Sequence, residues 1–241
     1  MQNVTAVAHR GDPYRFRENT IDSLRSALDQ GADAVEFDVR LTKDGVPVLL
    51  HDATLKRLWE LDRPLRSLSA AEVHGLTAGA VPTLAEALAA TEGSRLMLDL
   101  PGTREAGTAR RIVDAVREAG AADRVYYCAD ATAMLAVRSA DPAAEIALTC
   151  TSLAPPRPTL LAAVRPRWLN YRFSLVDRGL ADRVHHDGYL LSVWTPDTRR
   201  SMRRLIDAGV DSLTTNRIDV LTALRKQGWQ RGGAPDYTRE V

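Results

Sequence analysis

The sequence predicts an α/β protein, a single (β/α)8 TIM barrel with a β-hairpin extension after the second strand. Three observations carry this expectation. Short apolar runs alternate with stretches of helical period along the whole chain, which is the β/α alternation of a parallel sheet. The 241 residues contain no linker-like segment, and 45% hydrophobic content is enough for one large core. Nine apolar runs are present, and a turn signal after the second one folds the third back on it, leaving eight strands for a closed barrel.

The first run, "VTAVAH", ends at His9 and leads to a helix, "IDSLRSALDQG", which Asn19 or Thr20 can cap and Gly31 ends. The second run opens the stretch "AVEFDVRLTKDGVPVLLHD", residues 34 to 52. Asp44-Gly45 is the preferred pair for a two-residue hairpin loop, so "VPVLL" should return antiparallel on "VEFDVRLT". With that loop Lys43 faces Val46, and pairing back along the strands sets Asp38 opposite His51. Residues 53 to 81 leave room for a helix or two. Pro82-Thr83 then opens the helix "LAEALAAT", and "RLMLDL", "RVYYC", "EIALT", "RWLNY", "YLLSVW" and "DSLTT" supply the remaining strands. The "PPRP" at 155 to 158 reads as a loop, "HH" at 185 and 186 falls late in a helix, and Asp197 opens "TRRSMRRLIDAG". The arginine run inside that last segment reads as the solvated face of a helix. The barrel is expected over residues 1–227, with 228–241 a C-terminal tail.

Polar residues recur where the strands run out, the face of such a barrel that carries chemistry. His9 and Arg10 follow the first strand, Glu36 and Asp38 share one face of the second, Asp99 ends the fourth run, and Trp194 and Asn216 end later ones. Glu36, Asp38 and Asp99 offer only oxygen ligands, which suits a hard divalent cation, Mg²⁺ or Ca²⁺, better than zinc. His9 and His51 can act as general base and general acid near neutral pH. Arg10 is a permanently charged, planar donor for phosphate oxygens. Cation, base, acid and anion clamp together describe phosphodiester cleavage.

The stretch "AHRGDPYRFRENTIDSLRSALDQGADAVEFDVRLTKDGVPVLLHDATLKR" resembles the first quarter of glycerophosphodiester phosphodiesterases, and "SVWTPDTRRSMRRLIDAGVDSLTTNR" is similar to their last barrel segment. The resemblance runs over most of residues 5 to 227, strongest at the two ends. It implies a barrel enzyme that hydrolyses glycerophosphodiesters, with His9 and His51 as the acid/base pair, Arg10 on phosphate, and Glu36 and Asp38 on a metal. Glu18 and Asp52 match family positions too, and are read as organisers of the first helix and of His51. Trp194 is placed as an apolar wall of the glycerol site. The chain departs from the family at Asp99-Leu100-Pro101, where Glu-x-Lys is usual, so a cation near the phosphate is missing; Arg40, on the face of Glu36 and Asp38, is its expected replacement. A second departure is the short segment before "PTLAEAL", where the family often carries a small subdomain. Alternatives are a lyase that forms a cyclic phosphate and a non-catalytic phosphate-binding barrel.

Other classes find little support. A formal net charge of +1 and only three lysines among 32 basic residues give no basic patch, so nucleic acid is not an expected partner. Cys128 and Cys150 are the only cysteines and read as buried thiols. No apolar run is long enough to cross a membrane and the start lacks a leader pattern, so the expected location is the cytoplasm. The expected partner is a small phosphodiester; the oligomeric state is not encoded legibly.

Overall fold

The computed structural model describes residues 4–103 and 105–226; the tail expected at 228–241 lies outside the described residues. Among the described residues nine strands form, β1 (Thr5–His9), β2 (Ala34–Leu41), β3 (Pro47–Leu49), β4 (Arg95–Asp99), β5 (Val125–Ala129), β6 (Ile146–Cys150), β7 (Trp168–Arg172), β8 (Leu190–Trp194) and β9 (Ser212–Thr215). All pairings are parallel except β2 with β3, and β1 pairs with both β9 and β2, which closes an eight-stranded barrel with β3 outside it. This is the expected TIM barrel. Helices α1 (Ile21–Asp29), α2 (Lys56–Trp59), α3 (Ala70–Leu76), α4 (Leu84–Ala90), α5 (Ala106–Glu118), α6 (Ala131–Ala140), α7 (Pro158–Val164), α8 (Arg178–His186), α9 (Arg199–Ala208) and α10 (Ile218–Lys226) connect them.

Strand alternation separates two cores. Outward residues such as Phe37, Leu98 and Tyr171 are buried against the helices in the main core, while Val7, Ala34, Met97, Tyr126, Cys128 and Ala147 fill the barrel interior. A third cluster, including Val48, Leu50, Leu65 and Val73, packs the hairpin against residues 53 to 81, which fold as α2, α3 and a 3₁₀ turn at Leu65–Ser67. Both cysteines are free and buried.

The hairpin corrects the expected register. Val39 pairs with Leu49 and Arg40 with Val48, so Asp38 stands across from Leu50 rather than His51, and the Leu50 N–H donates to the Asp38 carbonyl at 3.0 Å. The loop has three residues, Lys43 to Gly45: Thr42 N–H donates to Val46 O at 3.1 Å, and Gly45 takes the left-handed φ of 79° that such a loop requires. Asp44 is drawn away from a tighter turn because its carboxylate accepts from Thr42 Oγ1 at 2.5 Å and from the Ala70 N–H, the first residue of α3, at 3.0 Å.

Helix starts follow the expectations with one shift. Thr20 caps α1 through Ser23 N–H, and Thr83 with Glu86 makes a reciprocal capping box on α4. On α9 the cap is Thr198, paired with Ser201, and not Asp197. Asp197 serves the site instead.

Candidate active site

The C-terminal ends of the strands surround a cleft of about 270 Å³ lined by His9, Arg10, Glu36, His51, Asp99 and Trp194 among others. Register explains the convergence. His9 on β1 pairs with Glu36 on β2, and Asp38 pairs with Asp99 on β4, so four functional side chains occupy two adjacent rows of three neighbouring strands.

Glu36, Asp38 and Asp99 each present an oxygen within 4.8 Å of the others. Asp38 is fully buried; its backbone N–H donates to Asn19 Oδ1 at 3.1 Å, and Asn19 Nδ2 donates to Asp38 Oδ2 at 2.8 Å. Its other oxygen, Oδ1, is buried without a hydrogen-bond partner among the described residues. Glu36 Oε2 accepts the Arg10 backbone N–H at 2.8 Å. Burial, reinforced by Asp38 and Asp99, pushes the Glu36 carboxyl well above the usual range, and burial with the Asp38 charge pushes Asp99 up to about 7. Three crowded carboxylates with one orphaned oxygen fit a hard divalent cation, whose charge would remove the repulsion and supply the missing partner.

Arg10 stands over this set. Its Nε lies 3.0 Å from Asp38 Oδ2 and its Nη1 2.9 Å from Glu18 Oε1. Burial works against its charge, but Asp38, Glu36 and Glu18 more than offset that and raise its pKa. Glu18 is shared: Arg57 of α2 grips both of its oxygens at 2.9 and 2.6 Å, and the same guanidinium donates through Nε to Asp52 Oδ2 at 2.6 Å. Asp52 Oδ1 in turn sits 2.7 Å from His51 Nδ1. The arginine bond, then the His51 contact, hold the Asp52 carboxyl down at about 2 despite the opposing effect of partial burial. A continuous chain therefore runs from Asp38 through Arg10, Glu18, Arg57 and Asp52 to His51.

The other histidine has its own support. His9 Nδ1 lies 2.8 Å from Asn216 Oδ1, while Asn216 donates its Nδ2 and its backbone N–H to the two oxygens of Asp197 at 2.8 and 2.9 Å. Because Asp197 only accepts, Asn216 must turn its oxygen to His9, and Nδ1 must carry the proton. The Nε2 atom is then the basic nitrogen, and it lies 3.9 Å from Glu36 Oε2. Burial, then the Arg10 charge, lowers the His9 pKa. By the same logic Asp52 claims Nδ1–H of His51 and leaves its Nε2 free.

Of the residues expected at the site, His9, Arg10, Glu36, His51, Asp99 and Trp194 line the cleft, and Asp38 lies beneath it. Despite the hairpin slip His51 still reaches the site, because β3 ends at Leu49 and His51 belongs to the turn beyond. Arg40 is placed differently. It does not line the cleft; its Nε donates to the His51 carbonyl at 2.7 Å, and it lines an adjacent hollow behind Pro101 and Gly102. Sequence reading missed Arg57 altogether and took Asn19 for a helix cap, whereas Asn19 holds Asp38.

A closed parallel barrel whose acidic cluster and two histidines gather at the strand C-termini has the architecture of a barrel enzyme. Residues 9–220 match the family model of the glycerophosphoryl diester phosphodiesterase family, and the chain belongs to that family. It is a phosphoric diester hydrolase. The chain is 27% identical to a glycerophosphodiester phosphodiesterase of Caldanaerobacter subterraneus, over 92% of this chain and 98% of that one. Similar folds include a glycerophosphodiester phosphodiesterase from Thermotoga maritima, with TM-score 0.79 and 23% identity over 93% of this chain and all of that one. Another is an Oleispira antarctica phosphodiesterase solved with the product sn-glycerol-3-phosphate, with TM-score 0.80 and 22% identity over 92% and 96% of the two chains.

Proposed function

We propose that the protein hydrolyses glycerophosphodiesters to glycerol phosphate and an alcohol, using a divalent cation held by Glu36, Asp38 and Asp99 and acid/base catalysis by His9 and His51. One observation carries the reading: both histidines have Nδ1 engaged, by Asn216 and by Asp52, so each can offer Nε2 to the cleft that the carboxylates also line. A mere phosphate binder needs no such matched pair.

When bound, Mg²⁺ or Ca²⁺ would draw charge from the phosphoryl oxygens and make phosphorus more electrophilic. Arg10 adds a permanent positive charge beside the same oxygens, fixed by Glu18 on one side and Asp38 on the other. One histidine takes the proton from the attacking water or substrate hydroxyl, and the other returns a proton to the departing alkoxide. Burial, then the Arg10 charge, disfavours the protonated form of His9, which favours it as the acceptor. Asp197 through Asn216, and Asp52 directly, hold the two tautomers that this exchange requires. The lysine usual two residues after the third carboxylate is Pro101 here, so the substrate's phosphate relies on Arg10 and the cation. The expected location of this activity is the cytoplasm; no helix among the described residues is long and apolar enough to span a membrane.

The deciding experiment is phosphorus NMR of the purified protein with a panel of glycerophosphodiesters, with millimolar Mg²⁺ or Ca²⁺ and with EDTA. Metal-dependent appearance of the glycerol phosphate monoester signal is the expected result. A cyclic phosphate as sole product would make the enzyme a lyase, and no turnover of any diester would leave only a binding barrel.

A further inference from the structure

Beside the cleft lies a second hollow that the reaction chemistry leaves unused. It encloses about 470 Å³ and is lined by Arg40 of β2, Lys43 of the hairpin loop, Arg66 of the 3₁₀ turn and Glu105 at the start of α5, among others. Pro101 and Gly102 line both this hollow and the cleft that holds His9, His51 and the carboxylates, so the two spaces meet along a ridge of two residues. Neither ridge residue carries a long side chain. Gly102, at a left-handed φ of 69°, leaves its flank to Arg40: a Cβ there would come 3.5 Å from Nη1 and 3.9 Å from Nη2 of that guanidinium.

The cations around the hollow lack counter-ions. Arg40 engages only Nε, on the His51 carbonyl at 2.7 Å, and makes no ion pair with a described residue. Lys43 and Arg66 make neither a side-chain hydrogen bond nor an ion pair with any described residue. Elsewhere such side chains find carboxylates, as Arg57 does with Glu18 and Asp52, and Arg95 with Glu145. Glu105 is the one carboxylate lining the hollow among the described residues; it precedes α5 without a side-chain cap bond and pairs with none of the three cations. Asp44 beside Lys43 is turned to Thr42 and Ala70, and Glu72, which also feels the Lys43 charge, caps α3. Three cations and one carboxylate leave a formal excess of two positive charges. A phosphate monoester, at about −1.5 to −2 near pH 7, balances that excess, whereas a carboxylate or a diester balances half of it. Thr108, in the first turn of α5, also lines the hollow, where the helix N-terminus adds partial positive charge.

We propose that this hollow binds a phosphate monoester carried by the leaving alcohol, so that the protein prefers glycerophosphodiesters whose alcohol is itself phosphorylated. The inference rests on the phosphodiesterase reading above, because the scissile phosphate at Glu36, Asp38 and Asp99 fixes one end of the substrate and the Pro101–Gly102 ridge gives the alcohol its way across to the other. Arg40, Lys43 and Arg66 are specificity residues, and they move no proton. A remote anion held equally before and during bond cleavage lowers KM and leaves kcat alone.

The test compares two glycerophosphodiesters on the Mg²⁺-loaded protein, one releasing 1-butanol and the other 4-hydroxybutyl phosphate, with propane and hexane spacers as length controls. The wild-type kcat/KM should favour the phosphorylated alcohol by at least about tenfold, chiefly through KM, and the preference should shrink as added salt screens it. Arg66→Ala and Lys43→Ala should each cut the preference at least about twofold and leave turnover of the butyl diester unchanged. Both side chains are exposed, so the fold is not at risk. A wild-type ratio near one for every spacer, or a preference that survives both variants, overturns the proposal. Added inorganic phosphate should slow the phosphorylated diester through this hollow; an Arg66-dependent change in butyl diester turnover would instead make the hollow a regulatory anion site and overturn the substrate reading. Titration calorimetry of 4-hydroxybutyl phosphate in EDTA needs no turnover, and without a cation the three carboxylates repel phosphate from the cleft. If neither diester is cleaved, the hydrolase reading falls, yet binding that weakens in Arg66→Ala and Lys43→Ala still supports the hollow. No binding, or binding unchanged in both variants, overturns it.

Discussion

At the scale of single residues, the site depends on side chains that never meet substrate. Arg57 is the clearest: its guanidinium spans Glu18 and Asp52 and so ties Arg10 to His51 across two loops. Its side chain is 45% exposed, so solvent screens these ion pairs and their worth to overall stability is about 0–1 kcal/mol. Their worth to alignment is larger. Arg57→Ala is expected to leave the melting temperature nearly unchanged while lowering kcat/KM by about 10- to 100-fold, with Arg57→Lys recovering part of the loss through a single contact. Equal activity in Arg57→Ala and wild type would show that Arg10 and His51 are placed by other contacts. The histidines themselves should behave differently. His9→Ala and His51→Ala are each expected to lower kcat by about 10² to 10⁴ with KM and metal affinity little changed, since a lost proton-transfer group acts on the transition state. Steady-state kinetics with a chromogenic diester, alongside calorimetric metal titration, separates the two effects, and near wild-type turnover in His51→Ala would remove it from the acid/base pair.

At the scale of elements, the turn from β1 into α1 sets Arg10, and Gly11 sets the turn. Arg10 itself adopts a left-handed φ of 57°, which aims its N–H at Glu36, and Gly11 follows at φ 86°. Ser23 of α1 clamps both neighbours, its Oγ donating to the Arg10 carbonyl at 3.0 Å and accepting from the Asp12 N–H at 2.7 Å. A Cβ on Gly11 would fall 2.5 Å from the Ser23 carbonyl carbon and 2.6 Å from its oxygen, contacts with backbone that cannot swing aside. Gly11→Ala is therefore expected to destabilise the fold by at least about 2 kcal/mol in urea unfolding. Wild-type stability in that variant would mean that α1 can slide outward freely. Much of this level was legible in the sequence. Strand ends, helix starts and the convergence of His9, Glu36, Asp38 and Asp99 follow from apolar period and capping residues, which are local signals. The hairpin register was not, because Asp44-Gly45 serves a two- or a three-residue loop, and the choice falls to Asp44's bond with Ala70, 26 residues away. Arg57 and Asn19 stayed hidden for a related reason. Their partners lie on other parts of the chain, Asp38 of β2 for Asn19 and the loop residues Glu18 and Asp52 for Arg57, and no periodicity marks a side chain whose purpose is to bridge such segments.

At the scale of the whole molecule, near-neutral net charge conceals a local conflict that pH and metal should expose together. Asp99 is pushed up to about 7 from the ordinary 3.8, and Glu36 is raised as well, so the folded, metal-free chain holds protons that the unfolded chain has released. For an acid with a raised folded pKa, stability is lost as pH rises between the unfolded and the folded value, here from about 4 to about 7. His9 acts with the opposite sign near the top of this window, because its lowered pKa makes the unfolded chain the better proton binder there. Absolute melting temperatures therefore mix two trends, and the useful quantity is the difference between metal-loaded and EDTA-treated protein at each pH. Cation binding requires all three carboxylates to be ionised, so it must displace the protons on Asp99 and Glu36 at low pH and displaces fewer as pH rises through the Asp99 value of about 7. The metal-induced gain in Tm should accordingly be small near pH 5 and grow through pH 7. At a free ion concentration about 100 times Kd it should approach about 2.7 kcal/mol, or about 5–10 °C for a chain of this size. Asp99→Asn supplies the control: with one carboxylate and its raised pKa removed, both the gain and its pH dependence should shrink. Differential scanning calorimetry across pH 5 to 8 in millimolar Mg²⁺, Ca²⁺ or EDTA decides the matter, and a gain that is absent or independent of pH would mean that the three carboxylates do not hold a cation jointly.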